Sequence, residues 1–334
     1  MAACGSSDSN TTSSAGAGST STAAKPAGKK LRVGVVTDIG GLNDRGFNAL
    51  AYKGLKTAEK QLGVTGRILI SKSNADYIPN LSTLAQQKYD LVIGVGFLMT
   101  DAMGKVATKF PNVKFAIVDS SPALMKGKPT NVEGLQFKEQ EGGYIVGYLA
   151  GLYAKDNKAT TVSTVGGQDV PAVAHYIGGF QAGAKAANSG VKTPNAYSQN
   201  FVDPAKCKEI ALNQIAQGSK VVFAVAGQCG LGVLDAAKEK SVQSIGVDAD
   251  QGYIGPQVFT SALKRVDVAV VNAIKGAQSG QYQGGKVTIN DVKSGGISYG
   301  KLNAAAQKYA AQAQAIQSKI ASGAISNIPE APAK

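Results

Sequence analysis

From Leu31 onward the chain alternates between two kinds of apolar pattern. Short runs rich in Val, Ile and Leu have the length and β-branched content of buried strands: LRVGVV (31–36), RILI (67–70), DLVIGV (90–95), KFAIVD (114–119), TTVSTVG (160–166), KVVFAVAG (220–227) and QSIGVD (243–248). Helix-length amphipathic segments separate them. In FNALAYKGLKTAEKQLG, for example, Phe47, Ala51, Leu55, Ala58 and Leu62 recur at helical spacing. Strand and helix in alternation predict α/β architecture, a parallel sheet covered on both faces. The series is too long for one sheet of ordinary size, so two doubly wound parallel-sheet lobes are expected, with a ligand cleft between them.

The boundary is expected near EQEGGYIVGYLAGLYAKDN (139–157), where Gly143, Gly147 and Gly151 share a helix face that another backbone can approach closely. Its apolar run is too short and too charged at its flanks to span a bilayer. The first lobe is taken as 31–145, completed by a returning segment at about 265–295. The second is taken as 146–264, completed by about 296–334. The stretch LNAAAQKYAAQAQAIQSKIASG reads as a helix stopped at Gly323.

Composition adds a tether and removes some functions. Residues 1–30 are Ser, Thr, Ala and Gly with almost nothing to bury, which predicts a flexible lead-in. Ala2-Ala3-Cys4-Gly5 resembles the cleavage region of a bacterial lipoprotein signal, with Cys4 the lipidated residue and a membrane anchor implied. Net charge is +13, but the 35 basic residues are scattered singly over polar helix positions, as in LDAAKEK, with no basic block interleaved with aromatics. That excludes nucleic acid as the expected partner and suits a body held at an anionic membrane surface. In an exported protein Cys207 and Cys229 are expected to be bonded, two buried thiols being the alternative.

The candidate chemistry lies where strands end. VVTD, FAIVD and IGVD place Asp38, Asp119 and Asp248 at the carboxyl edge of parallel strands, where open α/β sheets bind ligands. One such aspartate reads as a helix cap; three at one edge call for donors, and a polar ligand is one source. No nucleophile elbow accompanies the single histidine, His175, which reads as structural, and no His/Cys spacing suits a metal. No dinucleotide or triphosphate fingerprint is present, and no cofactor is expected. What remains is recognition without chemistry. Carboxylates and amides, with Phe47 and Phe201 as flat walls, suit a planar heterocycle carrying a vicinal diol. A sugar or signalling molecule in the same fold, a nucleoside-acting enzyme, and a surface protein with a host or membrane partner are the other readings.

The stretches GGLNDRGFN, NVEGLQFKEQEGGYIVGYLAG, VGGQDVP, FVDPAK, AGQCGLGVLDAAKEK and IGVDADQGY followed by TSALKRVDVAV resemble the basic membrane protein family, over about residues 31–275. These are the PnrA-like, purine nucleoside-binding lipoproteins of bacterial ABC importers. The resemblance implies a type I periplasmic-binding-protein fold, a monomer that delivers nucleosides to an ABC permease at the outer face of the cell membrane. It further implies that Asp38 with Asn43 and Asn48 bonds the base between Phe47 and Phe201. Asp119 would bond base or ribose, Gly227 would offer backbone, and Asp248 and Lys264 would hold the ribose hydroxyls. Gly46, Gln228-Cys229 and His175 depart from the family pattern, the first two near the expected cleft.

Overall fold

Runs such as RVGVV and LVIGV are apolar on both sides of an extended chain, a pattern that a sheet covered on both faces accommodates. In the computed structural model, which describes residues 1–5 and 30–333, they form β1 (Arg32–Val36) and β3 (Leu91–Val95), with β2 (Thr65–Leu69), β4 (Lys114–Val118) and β5 (Val132–Phe137) beside them. α1 (Phe47–Leu62), α2 (Tyr77–Gln86) and α3 (Thr100–Lys109) connect them. Alternate strand residues feed opposite cores. Val33, Val35, Ile93 and Val118 pack with Ala51 and Leu55 of α1, while Val36, Val92, Phe115 and Ile117 pack with Leu81 and Leu84 of α2 and Met103 of α3.

The second lobe repeats the plan with α4 (Glu139–Asp156), β6 (Thr161–Gly166), α5 (Pro171–Ala187), β7 (Asn195–Tyr197), α6 (Pro204–Ala216), β8 (Ser219–Val225), α7 (Leu231–Glu239), β9 (Gln243–Asp248) and β10 (Val258–Lys264). The chain then returns. α8 (Val266–Ser279) packs on α1, and β11 (Val287–Asn290) extends the first sheet beside β5. β12 (Ile297–Tyr299) pairs antiparallel with β10, and α9 (Ala310–Ala321) packs on α4. The sheet orders are β11-β5-β4-β3-β1-β2 and β12-β10-β9-β8-β6-β7. Strand for strand they correspond, β4 to β9 and β3 to β8.

The first crossing falls at Lys138, ahead of α4, rather than at the expected 145/146. The cause is the glycine seam. A Cβ on Gly143, Gly147 or Gly151 would strike the carbonyl oxygen of Tyr176, Phe180 or Ala184 on α5, and Gly179 and Gly183 meet Gln140 and Tyr144 in return. That backbone contact begins at Gln140, so α4 belongs to the second lobe over its whole length. The three crossings are tied together. Lys138 N donates to Asn290 O (3.0 Å), Arg265 N to Gly296 O (2.8 Å) and Val292 N to Glu141 Oε2 (2.7 Å). The expected tether falls largely on residues 6–29, which lie outside the described residues.

Candidate functional site

The carboxyl ends of both sheets face each other, and the first lobe's edge is organised by its own side chains. The first turn of a helix leaves backbone N–H groups without intrahelical partners. For α1 these are taken by Asp44, which accepts from Gly46 N (3.0 Å), Asn48 N (2.6 Å) and Ala49 N (3.2 Å). Asn48 is then spent within the protein. Its Nδ2 donates to Asp38 Oδ1 (2.7 Å) and Asp44 Oδ2 (3.1 Å), and its Oδ1 accepts from Asp38 N (3.1 Å). Gly40 N also donates to Asp38 Oδ1 (2.8 Å), while Asp38 Oδ2 accepts nothing from the described residues.

Past β4 and at the end of β9 stand the corresponding aspartates, Asp119 and Asp248. Both adopt left-handed backbone, with φ of 63° and 64°, an uncommon and strained conformation for a residue with a side chain. Two glycines mark the neighbouring strand exits in the same way, Gly96 (φ 106°) after β3 and Gly227 (φ 55°) after β8. Lys264, the last residue of β10 and 1% exposed, donates from Nζ to Asp119 Oδ2 and Glu139 Oε1, each at 2.7 Å. Its ammonium also lies 5.2 Å from the Phe47 ring centroid and 4.9 Å from that of Phe137. Asp248, although 8% exposed, accepts no hydrogen bond from any described residue.

These groups share one cavity of about 640 Å³, open mouth included, between the lobes. Burial dominates its electrostatics. It pushes the Asp38 carboxyl up to about 6 against the opposing bonds from Asn48 and Gly40. It pushes Asp119 up to about 6, where the Lys264 charge opposes it and Glu139 adds to it. Asp248 rises to about 7, Lys264 offsetting only part of the loss of water. For Glu139, burial is outweighed by the Lys264 charge and the His175 hydrogen bond, so it titrates below its ordinary value. Lys264 is held protonated: burial opposes its charge, and Asp119, Glu139 and Asp248 outweigh that opposition.

Asp38, Phe47, Asn48, Asp119, Phe201, Gly227, Asp248 and Lys264 all line this cavity. Asn43 does not. It is exposed on the 3-10 turn Leu42–Asp44, and its neighbour Asp44 points inward in its place. Asn48 lines the wall, but its amide is occupied by Asp38 and Asp44, so it holds Asp38 rather than offering both its groups to a ligand. Glu139 and Tyr176 escaped the sequence reading. Glu139 sits in a first helical turn, where an acid ordinarily reads as a dipole partner, and Tyr176 lies on an apolar helix face. His175 places Nδ1 3.2 Å from Glu139 Oε2, behind the cavity. Cys207 and Cys229 are joined, pinning α6 to the turn that follows β8, and Cys229 N donates to Phe201 O (3.0 Å). Cys4 is a free, exposed thiol.

Among the described residues no group of acidic, His and Cys side chains is arranged to hold a metal, and no helix is long and apolar enough to cross a membrane. Residues 31–330 match a family described as "ABC transporter substrate-binding protein PnrA-like". An uncharacterized lipoprotein of Pyrococcus horikoshii is 35% identical over 302 residues, 87% of this chain and 74% of its own. An ABC transporter nucleoside-binding protein, BmpA, of Lactococcus lactis is 33% identical over 299 residues, 83% of each chain. Among solved structures, an ABC transporter system solute-binding protein from Aeropyrum pernix superposes with a TM-score of 0.80 at 28% identity, over 90% of this chain and 94% of that one.

Proposed function

This chain belongs to the PnrA-like family of ABC transporter substrate-binding proteins, and from that premise we propose that it captures a purine nucleoside outside the cell and presents it to an ABC permease. One observation carries the reading. The cavity combines a phenylalanine from each lobe with a buried carboxylate, Asp248, that has no donor among the described residues. A carboxylate removed from water without donors is unfavourable, so the site is complete when a ligand brings them. A ribose diol brings two, and a purine brings the flat surface that two rings enclose. The Lactococcus lactis relative, a nucleoside-binding protein by name, supports the same choice.

In this reading Phe47 and Phe201 enclose the base, and Asp38 Oδ2 accepts from its edge. Gly227 approaches with backbone, and Asp248 accepts from the diol. Lys264 keeps its third N–H for a ribose oxygen, since Asp119 and Glu139 use two. The protein does no chemistry on the ligand and acts as a monomer. The lobes close on the ligand and open about the three tied crossings. In the closed arrangement Gln251 Nε2 donates to Arg45 O (3.3 Å), and Gly46 lies against Val247 and Asp248. Cys4 carries the lipid anchor at the extracytoplasmic face, in keeping with relatives named as lipoproteins.

Thermal-shift titration of the purified protein with purine and pyrimidine nucleosides, free bases and pentoses tests this. A ligand at 100 times its dissociation constant adds about 2.7 kcal/mol, so purine nucleosides should raise the midpoint visibly. A shift with pentoses alone would move the assignment to sugars, and release of free base during incubation would make the protein an enzyme.

A further inference from the structure

Tyr176 lines the same cavity from the second turn of α5, and it is 2% exposed. Its hydroxyl is buried and has no hydrogen-bond partner among the described residues. The other unpartnered tyrosine hydroxyls, those of Tyr77 and Tyr197, belong to residues outside this lining. The ring has no freedom to turn elsewhere. Its edge packs against Phe223 at 5.8 Å between centroids and 87° between planes, and its backbone carbonyl is pressed against Gly143 of α4. A phenylalanine would fill this space equally well, and a buried hydroxyl without a partner is unfavourable. The oxygen is therefore to be explained by what enters the cavity.

Its surroundings indicate which part of a ligand it meets. Burial, together with the charges of Asp248, Glu139 and Asp119, keeps the phenol protonated far into alkaline pH, so the group is a donor. Of these, Asp119 and Asp248 line the cavity, and Asp248 marks the end assigned above to the sugar. Resting on that assignment, we propose that Tyr176 is a specificity-determining residue whose hydroxyl donates to a hydroxyl oxygen of the bound nucleoside's ribose. The ribose hydroxyl then passes its own hydrogen to an acceptor in the cavity, of which Asp248 is unoccupied by protein donors. Such a chain reinforces each of its hydrogen bonds by polarisation.

The test is calorimetric titration of wild type and Tyr176→Phe with inosine and with its 2′-, 3′- and 5′-deoxy analogues. The substitution removes one oxygen and keeps the ring. Inosine should bind Tyr176→Phe about tenfold more weakly, and that penalty should vanish for the analogue that lacks the partner hydroxyl. Unchanged affinity, or the same loss for all four ligands, overturns the proposal while leaving nucleoside binding intact. Wild type that binds none of inosine, adenosine and guanosine overturns the nucleoside reading, and the proposal with it. The ligand-free melting midpoint should stay level or rise in Tyr176→Phe. A fall of several degrees would give the hydroxyl a structural partner and would equally overturn the proposal.

Discussion

Asp119 and Asp248 occupy the same place in the two lobes, at the ends of β4 and β9, with almost the same left-handed backbone. Their surroundings differ completely. Asp119 is clamped by Lys264, reaching from the other lobe, and shares that ammonium with Glu139. Asp248 faces the cavity and accepts no hydrogen bond from any described residue. At the first lobe's edge Asp38, Asp44 and Asn48 bond one another, leaving Asp38 Oδ2 as the acceptor that faces the cavity. Among the described residues the second lobe offers Asp248 no donor and leaves the buried Tyr176 hydroxyl unpartnered. One strand-end plan thus yields a carboxylate clamped by Lys264 on one side and an unclamped one facing the cavity on the other.

Removing the clamp should do the greatest damage. Lys264→Met strands Asp119 and Glu139 as buried carboxylates with no counter-charge, a change expected to cost about 3–5 kcal/mol of stability in a denaturant titration. A loss under 1 kcal/mol would show that the triad is solvated. Asp248→Ala should do the reverse. Stability of the free protein is kept or raised, because a buried carboxyl without donors is removed. Purine nucleoside affinity falls about a hundredfold or more in calorimetry, because two hydrogen bonds to a charged group at about 1.5–3 kcal/mol each are lost. If both variants merely unfolded, the distinction between clamped and unclamped carboxylate would be lost.

Phe201→Ala removes one wall, and about thirtyfold weaker nucleoside binding is expected from lost stacking and burial together, with pentose binding unaffected. Acidity offers a gentler probe. The folded-state value of Asp248 is raised to about 7 from the ordinary 3.8, so the free protein holds this proton more tightly than the unfolded chain does. Stability from this group is therefore present below about pH 4 and declines as pH rises towards 7. If binding needs the ionised acceptor, affinity should fall about twentyfold from pH 7.5 to 5.5, with proton release on binding near pH 6–7. Calorimetry in buffers of different ionisation enthalpy would detect that release. Asn43→Ala should change affinity less than twofold, since Asn43 lies outside the cavity.

Runs such as RVGVV, LVIGV and VVFAV were legible because a doubly covered sheet writes itself as near-continuous apolar residues, and the helix at Phe47 because its apolar residues recur at helical spacing. β10 was not, although it is buried. Its Thr260 and Ser261 break the run, and they are tolerated inside because Thr260 donates to Gly300 O (3.1 Å) and Ser261 accepts from Gln251 N (3.0 Å). β7 and β12, three residues each, are too short to show a period. The strand-end rule found Asp38, Asp119 and Asp248 because position along a strand is a one-dimensional property. Whether a carboxylate there meets a lysine or a void depends on residues far away in sequence, Lys264 standing 145 positions from Asp119. The exchange of Asn43 for Asp44 came from a single 3-10 turn, in which adjacent residues point about 120° apart and three residues are too few to show a phase.

Titration of the wild-type protein with inosine and with 2′,3′-dideoxyinosine tests the unpaired carboxylate most directly. The two ligands share a base and differ in the diol that Asp248 is proposed to receive. Inosine should bind, and the dideoxy compound should bind at least a hundredfold more weakly, with most of the difference lost in Asp248→Ala. Equal affinity for the two in the wild-type protein would contradict the assignment of Asp248 and the orientation of the ligand built upon it.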